Sequence, residues 1–122
     1  MSPSTVILAM TLTLLAPSAC QHGPDDIGAT AAEKTNADRS FIRCVREASP
    51  AMDDKVSAPS VVANAIVNGP CRRSAESVAE VYTRGSDPKA TAIFRANYFN
   101  GIAQQIATEV VFLARHVNAT TN

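Results

Sequence analysis

Cysteine and histidine carry the widest chemistry in this chain, which has three of the first and two of the second. The cysteines are Cys20, Cys44 and Cys71, and the histidines are His22 and His116. Depending on their spacing, such side chains form disulfides, ligate metals or haem, or act as nucleophile and base. The odd number of cysteines leaves at least one of them outside any disulfide within the chain.

The histidines are not spaced for metal, haem or nucleophilic chemistry. The chain has no Cys-x-x-Cys-His motif and no close set of three or four zinc ligands. Met52 and His116 come nearest to an axial haem pair, but Met52 is predicted to lie in a connection between helices. His116 is expected near a helix end, where the helix dipole favours a cation. We therefore expect no metal, no cofactor and no catalytic residue, and hence no enzymatic activity.

The carboxylates do not form a recognisable site either. Adjacent aspartates at positions 25–26 and 53–54 fall in predicted loops and lack the alternating ligands and central glycine of a calcium loop. We expect them to cap backbone groups and to be solvated. The chain also lacks a glycine-rich phosphate loop and the Ser-x-x-Lys and Gly-x-Ser-x-Gly motifs of serine enzymes.

The first 19 residues have the layout of a signal peptide. The uncharged aliphatic run from Val6 to Ala16 would span only about 16 Å as a helix, too short for a hydrocarbon core of about 30 Å. The small or helix-breaking residues Pro17, Ser18 and Ala19 follow at once, as at a cleavage site. One prediction is cleavage at the small-x-small site of residues 16–18, which releases a soluble protein that begins near Ala19.

The second prediction is cleavage before a lipidated cysteine. Residues 18–20, Ser-Ala-Cys, resemble the end of a bacterial lipobox, in which Cys20 becomes the diacylated first residue. Pro17 stands where the lipobox has an aliphatic residue, and Leu15 lies two positions too early. The odd cysteine count favours lipidation, because it leaves Cys44 and Cys71 as a pair in an oxidising compartment.

Residues 20–29 are predicted to form a flexible tether between a membrane surface and a helical domain over residues 30–122. The tether is polar and interrupted by glycine and proline. A diacylated Cys20 would hold the domain firmly at that surface. Eleven basic and eleven acidic residues leave no net charge. Nucleic acid is therefore not an expected partner, because phosphate binding needs a basic stripe.

Two short groups of arginines stand out within this neutral composition. They are Arg39, Arg43 and Arg46 in one group and Arg72-Arg73 in the other. We expect both to lie on solvated helix faces whose charge is balanced by neighbouring carboxylates. The balancing acids would be Glu33, Asp38, Glu47, Glu76 and Glu80.

Four helices and no strand are predicted. The first covers residues 30–49, where Thr30 and Glu33 form a capping box and Pro50 ends the helix. The others are separated by Asn-Gly, Pro and Gly signals. They cover residues 57–68, 70–84 with Pro70 in the first turn, and 88–118.

Cys44 and Cys71 lie on matching apolar stripes of the first and third predicted helices. Each belongs to an apolar stripe with the spacing i, i+4, i+7, i+8 and i+11. Because the two stripes would face each other, we predict a Cys44–Cys71 disulfide. It would close a loop that the chain-entropy model values at about 3.5 kcal/mol of stability.

The fourth helix would be the longest, at about 46 Å. Its apolar residues alternate at spacings of four and three, as in a heptad seam: Ala92, Ala96, Phe99, Ala103, Ile106, Val110, Leu113 and Val117. Four further residues widen this stripe, which suits a bundle better than a two-stranded coiled coil: Ile102, Ala107, Val111 and Ala114. The second and third helices end to end would match its length, and the first would cover a third side. The sequence therefore predicts an all-α fold, a small antiparallel bundle of three or four helices with one long C-terminal helix and the Cys44–Cys71 disulfide. An overhanging end of the long helix could form a homodimer.

At Cys20, in residues 41–44 (Phe-Ile-Arg-Cys) and in residues 61–71, the chain resembles the small exported all-helical proteins and lipoproteins of Gram-negative bacteria that carry one helix-to-helix disulfide. The resemblance implies location and fold class and no particular activity. Gln21 differs from the aspartate associated with inner-membrane retention. The implied location is therefore the outer membrane, facing the periplasm, for a lipidated protein and the soluble periplasm otherwise.

We therefore expect an exported, non-enzymatic envelope lipoprotein that acts by protein–protein interaction with an envelope partner. The alternatives are a periplasmic inhibitor or immunity-type protein and a carrier of a small ligand in the bundle core. Phe94 and Tyr98 lie off the heptad seam and are the candidate interaction residues, unless they pack on a second apolar face.

Overall fold

The regular structure of the described chain is entirely helical. A computed structural model describes residues 28–121 and shows an all-α fold, with no strand in that range. The predicted signal peptide, Cys20 and most of the predicted tether lie outside the described residues. Within residues 28–121, no helix is both long enough and apolar enough to cross a bilayer. The elements are α1 (Ala31–Met52), α2 (Pro59–Asn68), α3 (Arg72–Thr83), α4 (Pro88–Asn97), a π-helical segment (Tyr98–Ile102) and α5 (Ala103–Ala119).

Two of the helices begin at side-chain caps, and the first of these is the predicted capping box. At the start of α1, the N–H of Glu33 donates to Thr30 Oγ1 at 3.2 Å, and the N–H of Thr30 donates to the Glu33 carboxylate at 2.7 Å. At the start of α4, the Asp87 carboxylate accepts from the N–H groups of Lys89 and Ala90. These bonds satisfy donors that would otherwise have no partner within the helix.

The end of α1 differs from the prediction. The expectation that Pro50 ends the helix is wrong, because α1 continues to Met52 with Pro50 inside its last turn. Pro50 supplies no N–H, but the N–H of Asp53 still donates to the carbonyl of Ser49 at 2.9 Å and closes the turn. Met52 is therefore the last residue of α1, whereas the sequence predicts that it lies in the connection after the helix.

The helices form the predicted antiparallel bundle. α1 packs against α3 and α5, α2 lies along α5, and α3 contacts α4. The second and third helices thus follow each other along the C-terminal helix, which consists of α4, the π-helical segment and α5 and has 32 residues. The Cys44–Cys71 disulfide is present, with 5.7 Å between the Cα atoms. Cys71 is the N-cap of α3, so Pro70 lies in the preceding turn and not in the first helical turn.

The core is made of small and aliphatic side chains with one phenylalanine and one tyrosine. Its best-buried large members come from four of the elements, which shows that every layer of the bundle contributes. Interiors packed in this way have few gaps. The buried side chains are Phe41, Val45, Val62, Ala63, Ile66, Val67, Cys71, Ala75, Val78, Ala79, Tyr98, Ala103, Ala107 and Val111.

The heptad seam predicted for the C-terminal helix is correct only in its middle. Ala103 is buried and Phe99, Ile106 and Val110 are half-buried against the core, whereas Ala92, Ala96, Leu113 and Val117 are exposed. The buried residues of this helix are Tyr98, Ala103, Ala107 and Val111, and the last two belong to the residues predicted to widen the seam. In the π-helical segment the N–H of Ala103 donates to the carbonyl of Tyr98, five residues earlier. This turn contains one more residue than an α-helical turn. The residues that face the core after it are therefore shifted by one position along the sequence.

A buried ion pair attaches the α1–α2 connection to α5. Arg115 donates to both carboxylate oxygens of Asp53, at 2.6 to 3.2 Å, and to the carbonyl of Ser57 at 2.8 Å. The hydrogen bonds from Arg115 hold the pKa of Asp53 well below its usual range, against the effect of burial. Asp54 accepts from the N–H groups of Val56 and Ser57, so this aspartate caps the loop as predicted.

Candidate functional site

An apolar groove lies between α1, α3 and the C-terminal helix, next to the π-helical segment. Its volume of about 340 Å³ is at the lower end of the range for ligand sites. We call it the aromatic groove. It is lined by Asp38, Ile42, Val78, Tyr82, Phe94, Tyr98, Ile102 and Ile106.

Three aromatic rings form one wall of the aromatic groove. Tyr82 and Phe94 are stacked with 5.8 Å between ring centroids and 10° between ring planes. Phe94 and Tyr98 continue the stack at 6.0 Å and 7°. The inner end is fixed by Phe41, whose ring meets Tyr98 at 62° in the core. Such pairs add about 0.5–1.5 kcal/mol each beyond the area they bury, so the wall is preformed and rigid.

The aromatic groove contains few polar groups. The Tyr82 hydroxyl donates to Asp38 Oδ2 at 2.7 Å, and this hydrogen bond raises the pKa of Tyr82. Burial raises the pKa of Tyr98 well above its usual range, with a further contribution from the charge of Asp38. The Tyr98 hydroxyl makes no hydrogen bond to another residue in the range 28–121. The groove therefore offers a phenol and a carboxylate beside apolar surface, which suits stacking and hydrogen bonding.

The π-helical segment places an isoleucine at the rim of the aromatic groove. Tyr98 is 3% exposed and Ile102, one turn later, is 50% exposed. Ile93 is 54% exposed on α4. Large aliphatic side chains that remain in water beside a preformed groove are typical of binding surfaces.

A second groove lies between α1 and the C-terminal half of α5. It is formed by α1 and α5, has a volume of about 370 Å³ and is here called the C-terminal groove. Leu113 and Val117 are 53% and 65% exposed there, and Val110 is half-buried at its base. Its lining consists of Arg46, Val110, Leu113, Ala114, Val117 and Asn118.

The exposed arginines of α1 stand beside the C-terminal groove. Arg39, Arg43 and Arg46 recur at intervals of four and three, surround Ile42 and form what we call the arginine lip. No ion pair among residues 28–121 includes any of the three.

The acids expected to balance the arginine lip are largely engaged elsewhere. Glu33 pairs with Arg84 at 2.8 Å, and the hydrogen bonds at Glu33 lower its pKa to about 2. Asp38 accepts from Tyr82 in the aromatic groove. The expected charge balance is therefore wrong for these two residues, because both lie on the side of α1 that faces α3.

The other residues singled out in the sequence lie at separate places in the structure. Tyr98 is buried and Phe94 half-buried, so the alternative of a second packed face is correct, although one side of each ring reaches the groove. His116 is in the last turn of α5, with Nδ1 2.9 Å from the carbonyl of Phe112. Arg72 pairs with Glu76 at 3.1 Å, as expected. Among the described residues, no group of three histidine, cysteine or acidic side chains could hold a metal ion.

One signal in the sequence points to the aromatic groove: Phe94 and Tyr98 lie off the predicted heptad seam. Ile42, Ile102 and Asp38 carried no such signal, because their place in the groove depends on the width of the π-helical turn and on the packing of α1. Comparison of the chain with protein-family models, curated proteins and solved structures gave no match.

Proposed function

We propose that this chain is an exported, non-enzymatic envelope protein, anchored through a lipid on Cys20, that acts by protein–protein interaction. The aromatic groove is its binding surface, and the occupant is an apolar segment of another envelope protein. One observation carries this proposal: the groove is preformed and apolar, and Ile102 at its rim is exposed. Such an arrangement suits recognition by complementary apolar side chains.

The disulfide supports the proposed location. Disulfides persist in oxidising compartments such as the periplasm and are rare in the cytosol. Cys44 and Cys71 are paired with each other, and Cys20 is then the cysteine left for lipid attachment. The helical bundle would begin about ten residues after the anchor, which keeps the groove near the membrane surface.

The location is tested by the intact mass of the protein purified from membrane and soluble fractions without reductant. We expect a membrane-bound species that begins at Cys20, carries lipid and lacks two hydrogens because of the disulfide. A soluble species that begins near Ala19 would contradict the lipid anchor and favour a soluble periplasmic protein.

The interaction is tested by photo-cross-linking in cells that express the full chain. A photoreactive side chain at Ile102 is expected to cross-link to a second envelope protein, because the residue stands at the rim of the aromatic groove. The matched control places the same group at Arg73, which is exposed on α3 outside the groove. Equal labelling from the two positions, or none from Ile102, would contradict the proposal.

Carriage of a small ligand in the bundle core is less well supported. Phe41, Val45, Ile66 and Val111 are at most 1% exposed and occupy the space between the helices. The inhibitor or immunity-type alternative involves the same kind of contact, and tight one-to-one capture of a toxin or hydrolase would distinguish it.

A further inference from the structure

We propose that the arginine lip and the C-terminal groove together bind an acidic amphipathic helix of the partner protein. The acids of that helix would meet Arg39, Arg43 and Arg46, and its apolar side chains would enter the groove. The inference rests on the proposed function, because it adds a second contact surface for the partner that occupies the aromatic groove.

The first argument is that the charged and apolar parts share a residue. Arg46 lines the C-terminal groove beside Leu113 and Val117, and it also belongs to the arginine lip. A segment that rests on Leu113 would therefore lie within reach of the guanidinium groups. Apolar anchors beside a row of one charge select a segment in which apolar and oppositely charged residues alternate at helical spacing.

The second argument concerns the positive charge of the arginine lip. Glu33 is held by Arg84, and Asp38 is held by Tyr82. Within the described residues, these two acids therefore do not neutralise the lip, and Glu47, which lies four residues after Arg43, offsets only part of its charge. An acidic partner would supply the remaining counter-charge, which gives orientation and a faster encounter in addition to affinity.

The dimensions also suit a helix. The apolar part of the C-terminal groove from Val110 to Val117 spans about 10 Å of α5, and the arginine lip from Arg39 to Arg46 spans about 10 Å of α1. A partner helix of at least two turns would therefore cover both. Its apolar residues would recur at three- and four-residue intervals, like those that they contact.

A bilayer fits these features less well than a helix does. The groove is concave, with Val110 half-buried at its base, so a flat surface would touch only the rim.

The test is a photoreactive side chain at Leu113 in the full chain, followed by sequencing of the cross-linked peptide. We expect a peptide of another protein that is rich in Asp and Glu and has apolar residues at helical spacing. In the same cells, the double substitution Arg43→Glu and Arg46→Glu should lower the cross-link yield by roughly tenfold. Each exposed ion pair raises the affinity by about 1.5- to 5-fold, and the two introduced glutamates would in addition repel the acids of the partner helix.

The matched control is Arg73→Glu, which changes the net charge away from both grooves and should leave the yield unchanged. Thermal unfolding of each variant shows that the fold is intact. The inference is overturned if Leu113 yields a basic or uncharged peptide, a lipid, a second copy of this chain or no adduct while Ile102 still captures a protein. The proposed function survives that result, whereas the absence of adducts from both positions overturns both.

Discussion

The two ends of α1 are each joined to another helix by a carboxylate–arginine pair, but their surroundings differ. At the start, Glu33 and Arg84 are 2.8 Å apart, with side chains 46% and 40% exposed. At the end, Asp53 and Arg115 are 2.6 Å apart, with side chains 2% and 20% exposed. Water and salt screen the first pair strongly and the second weakly. Removal of one partner should therefore be tolerated at the start of α1 and damaging at its end.

The disulfide lies between these two ends and provides a third kind of attachment. It joins Cys44 to Cys71 and is independent of pH and salt, but it is broken by reductant. α1 is thus held by a covalent bond, a buried ion pair and an exposed ion pair. We expect the loss of stability on removal of each attachment to decrease in that order, and each attachment can be removed separately by substitution.

The largest effect is expected from loss of the disulfide. The double substitution Cys44→Ser and Cys71→Ser should cost about 3.5 kcal/mol and lower the melting temperature by roughly 15 to 25 °C for a domain of this size. Thermal unfolding by circular dichroism, with Cys20→Ser as the control, provides the measurement. A melting temperature unchanged by the double substitution or by reductant would show that packing alone fixes α1.

The second effect is expected from Arg115→Leu. The substitution leaves Asp53 buried without its main hydrogen-bond donor, so the melting temperature should fall by several degrees, less than on loss of the disulfide. Arg73→Leu removes an exposed arginine from α3 and should have almost no effect. If both variants melt alike, the buried pair does not hold the end of α1 as the comparison requires.

The third prediction concerns acid. The folded-state pKa of Asp53 is lowered, so the unfolded chain binds a proton there more readily, and stability must fall as the pH drops below the ordinary value of 3.8. In the Arg115→Leu variant, burial without those hydrogen bonds should raise this pKa. The variant should therefore lose less stability than the native chain between neutral and acidic pH, although it starts lower. Parallel pH profiles from urea unfolding would contradict this assignment.

These attachments were predictable to different degrees. Thr30 and Glu33 are three residues apart, and a capping box is a local pattern. The stripes of Cys44 and Cys71 are local as well, and each was sufficient to place its cysteine inward. Arg115 is 62 residues from Asp53, and no periodicity connects them. That pair required the complete arrangement of helices.

The aromatic groove was predictable only in part for a related reason. Phe94 and Tyr98 are one α-helical turn apart, so their common face followed from the sequence. The next inward residue, Ala103, is five positions after Tyr98 because of the π-helical segment. The heptad seam meets the inward face at Ala103 and then departs from it, because the next buried residues of α5, Ala107 and Val111, follow at intervals of four. Leu113 and Val117, which the seam places inward, are therefore exposed in the C-terminal groove.

The smallest effect is expected at the start of α1, from Arg84→Gln. The largest cause of the low pKa of Glu33, about 2 against an ordinary 4.5, is the hydrogen bond from the N–H of Thr30, and Arg84 comes second. As the pH falls from 4.5 towards 2, the variant should therefore lose nearly as much stability as the native chain does. Its melting temperature at neutral pH should fall slightly in low salt and match the native value in high salt, because the pair is exposed. Urea unfolding across this pH range, with Glu33→Gln as the contrasting variant that lacks the titrating carboxylate, separates the two contributions. A loss of acid dependence in Arg84→Gln as large as in Glu33→Gln would mean that the exposed arginine, and not the N–H of Thr30, controls this end of α1.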